Sequence, residues 1–161
     1  MLPQVRLRRH RPGDLGWVVQ RHGELYWKEY GYDERFEALV AAIAARFVEK
    51  FDPRRERCWI AERRGERLGA VLVVKQSPGV AKLRLLIVEP KARGLGLGMR
   101  LVKACIGFAR AAGYRKLVLW TQSELAAARA IYEKLGFRLV RRERHASFGK
   151  RLIGEYWELA L

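Results

Sequence analysis

Cysteine is scarce, with Cys58 and Cys105 the two thiols in 161 residues. Neither has a partner at metal-ligand spacing and a bridge between them is not expected, so both read as small buried hydrophobes of a reducing compartment. Long apolar runs are also missing. Nothing approaches the ~18 residues needed to span a bilayer, and the opening "MLPQVRLRRHRPGD" lacks the apolar centre of a signal peptide. A soluble, cytoplasmic protein with no membrane partner is expected. Negative charge is in short supply too: 17 acidic residues face 33 basic ones, a formal net of +16. Such a field attracts polyanions, whether nucleic acid, a phosphorylated cofactor or acidic substrates, and does not choose among them. The arginines are scattered through "RLRRHR", "PRRER", "ERRGER" and "VRRERH", often beside Glu, the pattern of solvated loops and strand edges.

What is present suffices for one core. A chain of 161 residues, 50% hydrophobic, can bury a single core with little room for a second, so residues 1–161 read as one domain. "QVRLRR" alternates as a first strand, and "RPGD" supplies a turn with Asp14 as helix cap. An aromatic-rich helix follows from Leu15 to about Tyr30, ended by Gly31. Asp33 caps a second helix carrying Phe36, Val40, Ile43, Phe47 and Val48 at helical spacing until "FDP". "RCWIAE" and "RLGAVLVVK" form a hairpin around "RRGER", and "AKLRLLIVEP" is a further strand. The second half predicts a βαβ unit: a helix burying Leu101, Cys105, Phe108 and Ala112, closed by Gly113, then the strand "RKLVLW" parallel to "LRLLIV". "TQSE" reads as a capping box, Thr121 with Glu124, opening a helix that Gly136 ends. "FRLVRRERH" and "LIGEYWELAL" complete a mixed sheet with helices packed on it.

Between strand and helix lies "VEPKARGLGLGMRL". Gly94, Gly96 and Gly98 make a turn poor in side chains at the positive end of a helix dipole, so consecutive backbone amides form an anion cradle. The dipole contributes only ~0.3–1 kcal/mol, whereas each amide bond to a charged group contributes ~1.5–3 kcal/mol. Close backbone approach therefore matters most. A dinucleotide fingerprint fails, because G-x-G is followed by Met99 or Leu101 where the last glycine belongs, and "GMR" is not the end of a nucleoside-triphosphate loop.

Arg93-x-x-Gly96-x-Gly98 resembles the Arg/Gln-x-x-Gly-x-Gly/Ala loop of the GNAT superfamily of N-acetyltransferases. "LLIVEPKARGLGLG" is similar to that family's strand, proline and loop, "AARAIYEKLGF" to its later helix, and the element order matches end to end. Residues 10 to 50 and "HASFG" further resemble the acetyltransferase half of bacterial MarR-type regulator fusions, without a DNA-reading winged helix. The resemblance implies an α/β (α+β) fold with a mixed, mostly antiparallel sheet, a central parallel strand pair and flanking helices. It also implies transfer of the acetyl group of acetyl-coenzyme A directly to a primary amine, small molecule or peptide, by a monomer or homodimer.

By the same resemblance Arg93, Gly94, Leu95, Gly96, Leu97, Gly98 and Met99 hold the cofactor diphosphate. The backbone of Leu86, Ile87 and Val88 holds its acetyl and pantetheine portions. Tyr132 falls where the family places a phenol near the sulfur, and a phenol can protonate a leaving thiolate. An ordinary lysine-like amine, pKa ~10.4, is almost wholly charged at pH 7, so a base, a water chain or a low-pKa acceptor is required. Glu29 is the first candidate for it, beside His22, Glu24 and His145. Trp17, Tyr26, Trp27, Tyr30 and Tyr32 either line an acceptor pocket or belong to the core. Leu125 stands where many members carry Asn, with Gln122 or Ser123 as substitutes, and Arg129 and Lys134 are candidates for the remaining phosphate. Two other readings remain: a basic nucleic-acid-binding module and an acetyl-coenzyme A sensor without turnover.

Overall fold

The computed structural model describes residues 4–161. Its elements are β1 (Arg6–Arg9), α1 (Asp14–Tyr30), α2 (Glu34–Glu49), β2 (Arg57–Arg63), β3 (Glu66–Ser77), β4 (Val80–Val88), α3 (Leu97–Ala111), β5 (Lys116–Gln122), α4 (Ala126–Lys134), β6 (Arg138–Ser147) and β7 (Lys150–Ala160). The seven strands form one sheet in the order β1-β2-β3-β4-β5-β7-β6. Only β4 and β5 run parallel; the other neighbours are antiparallel. This is the mixed α/β architecture expected.

Strand periodicity divides the core in two. Along β3, Leu68, Val71 and Val73 join one buried cluster with Leu101, Cys105 and Ala109 of α3. Ala70 and Leu72 join another with Val18 and Leu25 of α1 and Phe47 of α2. From Ala70 to Val73 alternate residues serve opposite faces, the register shift at Leu68 brings that side chain to the Val71 face, and helices cover both faces. Each fully buried Leu, Val or Phe contributes roughly 1.5–3 kcal/mol, which makes β3 the anchor of the molecule. The β2–β3 turn uses Arg64 and Gly65, both at positive φ (50° and 77°), the conformation of a tight two-residue hairpin. Gly31 ends α1 at φ 75° and the Asp33 side chain accepts the Arg35 amide, so both expected boundaries of the α1–α2 corner hold.

Three expectations fail. Asp14 does not cap α1: Gly13 heads that helix, while the Asp14 carboxylate is buried and accepts from the Arg11 amide (2.7 Å), Arg8 (2.7 and 3.0 Å) and Arg67 (2.9 Å). The "TQSE" capping box does not form. Thr121 and Gln122 extend β5, paired with Glu155 and Gly154 of β7, and α4 starts at Ala126 with no side-chain cap. A β-branched threonine beside an available ladder favours the strand. The arginine runs are not uniformly solvated either, since Arg8, Arg21, Arg67 and Arg129 reach inward to Asp14, Glu62, Glu89 and Glu155.

Candidate active site

The parallel pair opens a gap in the sheet. β4 and β5 share register over Val80–Lys82 against Lys116–Val118 and then part. The cause lies on the other edge of β4, where pairing to β3 jumps between Leu72↔Arg84 and Ala70↔Ile87. β4 spends one extra residue there, and Leu85 sits at φ 56°. A bulge bends its strand, and left-handed backbone in a leucine is strain that the surrounding ladder must hold in place. Past it, Leu86, Ile87 and Val88 run along the gap rather than along β5.

The glycine loop stands at the end of this gap. Gly94 and Gly96 have φ 77° and 76°, with open space where a β-carbon would go. Gly96 heads α3 with no side-chain cap. Among the described residues no backbone carbonyl accepts from Gly94, Leu95 or Gly96 outside the regular elements, and the amides of Leu97, Gly98 and Met99 fall in the first helical turn, where no intrahelical partner exists. Gly98 has a second reason: a β-carbon there would lie 2.8 Å from Ile131 Cδ1. Its absence lets α3 and α4 approach. Free amides on a short-side-chain loop beside a guanidinium fit a diphosphate, and a bulged strand edge fits an amide-bearing arm.

Tyr132, on α4, is buried against Phe137 and Trp157 (ring centroids 5.6 and 6.2 Å). It reaches the wall of a cavity of about 380 Å³ that occupies the gap. Burial pushes its phenol above the ordinary range, so it stays protonated at neutral pH. His22 and Tyr26 of α1, Val40 of α2, and Trp120 and Gln122 of β5 line the same cavity.

The expected base candidates land in different places. Glu29 is not on the cavity wall; its two oxygens take Arg93 at 2.6 and 2.9 Å, a fork that holds its carboxyl below the usual range. His22 lines the cavity, fully buried, with Nδ1 2.8 Å from the Val18 carbonyl oxygen, and burial lowers its pKa to about 4. It is neutral at pH 7. Glu24 is exposed beside Arg21. His145 has Nε2 at 2.8 Å from Gln122 Oε1 and Nδ1 at 2.9 Å from Ser147 Oγ, its ring near Trp120.

The aromatic run is sorted by the fold. Tyr26, Tyr30 and Tyr32 cluster with Phe36 and Phe148, and Tyr26 and Tyr32 face the cavity. Trp17 packs on the α1–β3 core, whereas Trp27 is 65% exposed. Leu125 lines the cavity. Arg129 is committed to buried Glu155 at 2.8 Å, and Lys134 is exposed at the end of α4. Sequence reasoning missed Lys82, Arg84, Trp120 and Phe148, all on the cavity wall. Alternation along "AKLRLL" could have flagged the first two, since a strand between two cores leaves two basic residues on one face.

Residues 17–137 match the model of the acetyltransferase (GNAT) family. The chain belongs to that family. It is 32% identical over 127 residues to an uncharacterised N-acetyltransferase of Schizosaccharomyces pombe, covering 78% of this chain and 75% of the yeast protein. It is 34% identical to the mycothiol acetyltransferase of Amycolatopsis mediterranei, over 57% of this chain but only 33% of that enzyme. Among solved structures, the yncA protein of Salmonella typhimurium with acetyl-coenzyme A superposes with TM-score 0.77 at 18% identity, over 98% of this chain and 94% of the other. The chain is thus an acyl-coenzyme A-dependent acetyltransferase whose acetyl donor is acetyl-coenzyme A.

Proposed function

We propose that this chain, acting as one domain, transfers the acetyl group directly to a primary amine lodged between the α1–α2 corner and the β4–β5 gap. Acetyl-coenzyme A supplies the activated thioester. The Arg93 side chain and the amides from Gly94 to Met99 grip the diphosphate, and Leu86, Ile87 and Val88 offer backbone groups to the pantetheine arm and acetyl oxygen. A new N–C bond forms as the C–S bond breaks; the amine loses one proton and the thiolate gains one. Tyr132, kept protonated by burial, is the donor to sulfur. Glu29, off the cavity wall and forked to Arg93, is the carboxylate that takes the amine proton through an intervening water; its bond to Arg93 keeps it ionised, the state an acceptor needs, at a cost in basicity.

The observation that carries this reading is the juxtaposition of an opened parallel pair with an uncapped glycine loop at its end. Both halves of the finer resemblance, the α1–α2 segment and "HASFG", meet in one cluster through Tyr32 and Phe148, 5.3 Å between rings. The proposed likeness to the acetyltransferase half of MarR-type fusions rests on the sequence of these two segments. Buried free thiols suit a reducing cytoplasm, and no helix among the described residues is long and apolar enough to cross a membrane. The test is calorimetric titration with acetyl-coenzyme A, followed by a screen of pooled amines with released thiol as the readout. Saturable binding and amine-dependent thiol release are expected. Absence of cofactor binding overturns the proposal.

A further inference from the structure

Lys82 and Arg84 are misfits in an otherwise well-paired molecule. They lie two apart on β4, so they share the face turned toward α2, while Leu83 between them enters the α3-side core. Both are half-buried on the wall of the cavity. Elsewhere the half-buried Arg8, Arg21, Arg67 and Arg129 each bond a carboxylate, and Arg55 and Arg57 stack on Tyr114 and Phe108. Among the described residues no acid stands within ion-pair distance of Lys82 or Arg84. Burial lowers both their pKa values, and the neighbouring cations add to it: Arg84 acts on Lys82 and Arg46 of α2 on Arg84. Two desolvated like charges without a counter-ion are costly unless a ligand brings one.

Most of the remaining lining is apolar or aromatic, the polar side chains among it being those of His22, Thr121 and Gln122 and none of them an acid. Phe36, Val40, Ile43, Trp120 and Phe148 face the same space, and among the described residues no group accepts from the buried Trp120 indole N–H. A volume of about 380 Å³ is the size of a small-molecule site.

We infer that the acceptor is a small monoamine carrying a carboxylate on an apolar or aromatic body, an apolar α-amino acid in the simplest case, with Lys82 and Arg84 binding the carboxylate. The inference rests on the acetyl-transfer reading above and narrows its substrate. The carboxylate takes no part in bond making; it docks against the two cations and leaves the amine directed at the gap near Leu86 and Tyr132. The same pair repels a second ammonium, so polyamines are poor acceptors even though aromatic rings favour cations.

The test begins with calorimetry on the full chain with acetyl-coenzyme A, then compares initial rates of thiol release with L-phenylalanine, phenethylamine, which lacks the carboxylate, and spermidine. L-phenylalanine should exceed phenethylamine in kcat/KM by at least tenfold and spermidine by more. Arg84→Met and Lys82→Met should each raise KM for L-phenylalanine about tenfold and collapse its advantage, and Arg84→Lys should keep most of it; cofactor affinity and melting temperature certify folding. Phenethylamine or spermidine used as well as L-phenylalanine overturns the inference, as does an acid preference that survives Lys82→Met and Arg84→Met. Cofactor binding with no turnover of L-phenylalanine also sinks it, leaving acetyl transfer intact. Failure to bind the cofactor is a different result and removes the parent reading.

Discussion

Arg93 on the glycine loop and Glu29 near the end of α1 are joined by a two-pronged ion pair, 2.6 and 2.9 Å, with side chains 47% and 27% exposed. The guanidinium proposed for the diphosphate is therefore already engaged. A diphosphate must compete with Glu29 or share Arg93 with it. A solvent-accessible pair of this kind contributes about 0–1 kcal/mol, so Glu29→Gln is expected to tighten acetyl-coenzyme A binding by up to about fivefold. If Glu29 also accepts the amine proton, the same variant lowers kcat by roughly a hundredfold near pH 7. Calorimetry and steady-state kinetics on one variant separate the two: affinity and turnover should move in opposite directions. An unchanged kcat removes Glu29 from the chemistry, and weaker binding shows that the pair orders the loop instead.

Tyr132→Phe keeps the ring between Phe137 and Trp157 and deletes only the phenolic proton. Stability should change by less than about 1 kcal/mol, since no apolar volume is lost. Turnover should fall by roughly ten- to a hundredfold, with the cofactor Kd within about twofold, because the hydroxyl serves the leaving sulfur rather than binding. Turnover equal to wild type would eliminate the proton-donor role.

The order of elements, the parallel pair and the glycine turn before α3 were legible because each rests on local periodicity or on glycines at a strand-to-helix junction. The acceptor side was not. Trp120 of β5 and Phe148 of the β6–β7 turn come to one cavity with Tyr32 only through the β5-β7-β6 order, which no local pattern encodes. The bulge was hidden for a related reason: "LRLLIV" reads as an unbroken apolar strand, and the positive φ at Leu85 appears only against the β3 register. Arginine pairing was misjudged because its partners are distant, with Arg8 reaching Glu62 and Arg129 reaching Glu155. "TQSE" shows the opposite failure, a sound local signal overridden by the β7 ladder.

The glycines of the site differ in what they tolerate. A β-carbon on Gly69 would lie 2.8 Å from the Ile87 backbone carbonyl oxygen, beside the bulge, whereas on Gly98 it would meet the mobile end of Ile131 at the same distance. Backbone cannot yield as a terminal methyl can. Gly69→Ala should therefore displace the β4 segment Leu86–Val88 and weaken acetyl-coenzyme A binding at least tenfold, while Gly98→Ala costs less than about threefold, helped by the better helix propensity of alanine. Calorimetry on the two variants decides it; equal losses would show that the β4 edge is not part of the cofactor site.

Asp14 offers a test of what holds α1 against the sheet. Burial pushes its carboxyl up, but bonds from Arg8, the Arg11 amide and Arg67 outweigh that and bring its pKa to about 2. The depressed value fixes the sign of the linkage: the contribution is fully present above the unfolded value of about 3.9 and is lost as pH falls toward about 2. Asp14→Asn leaves Arg67 without its carboxylate and Arg8 with Glu62 alone, and it should cost about 3 kcal/mol at pH 7. In urea titrations the wild-type advantage should be constant from pH 7 to about 5 and shrink steeply below 4, because protonation then does to Asp14 what the substitution does at every pH. An advantage that persisted undiminished at pH 2 would mean that packing, not charge, makes Asp14 matter.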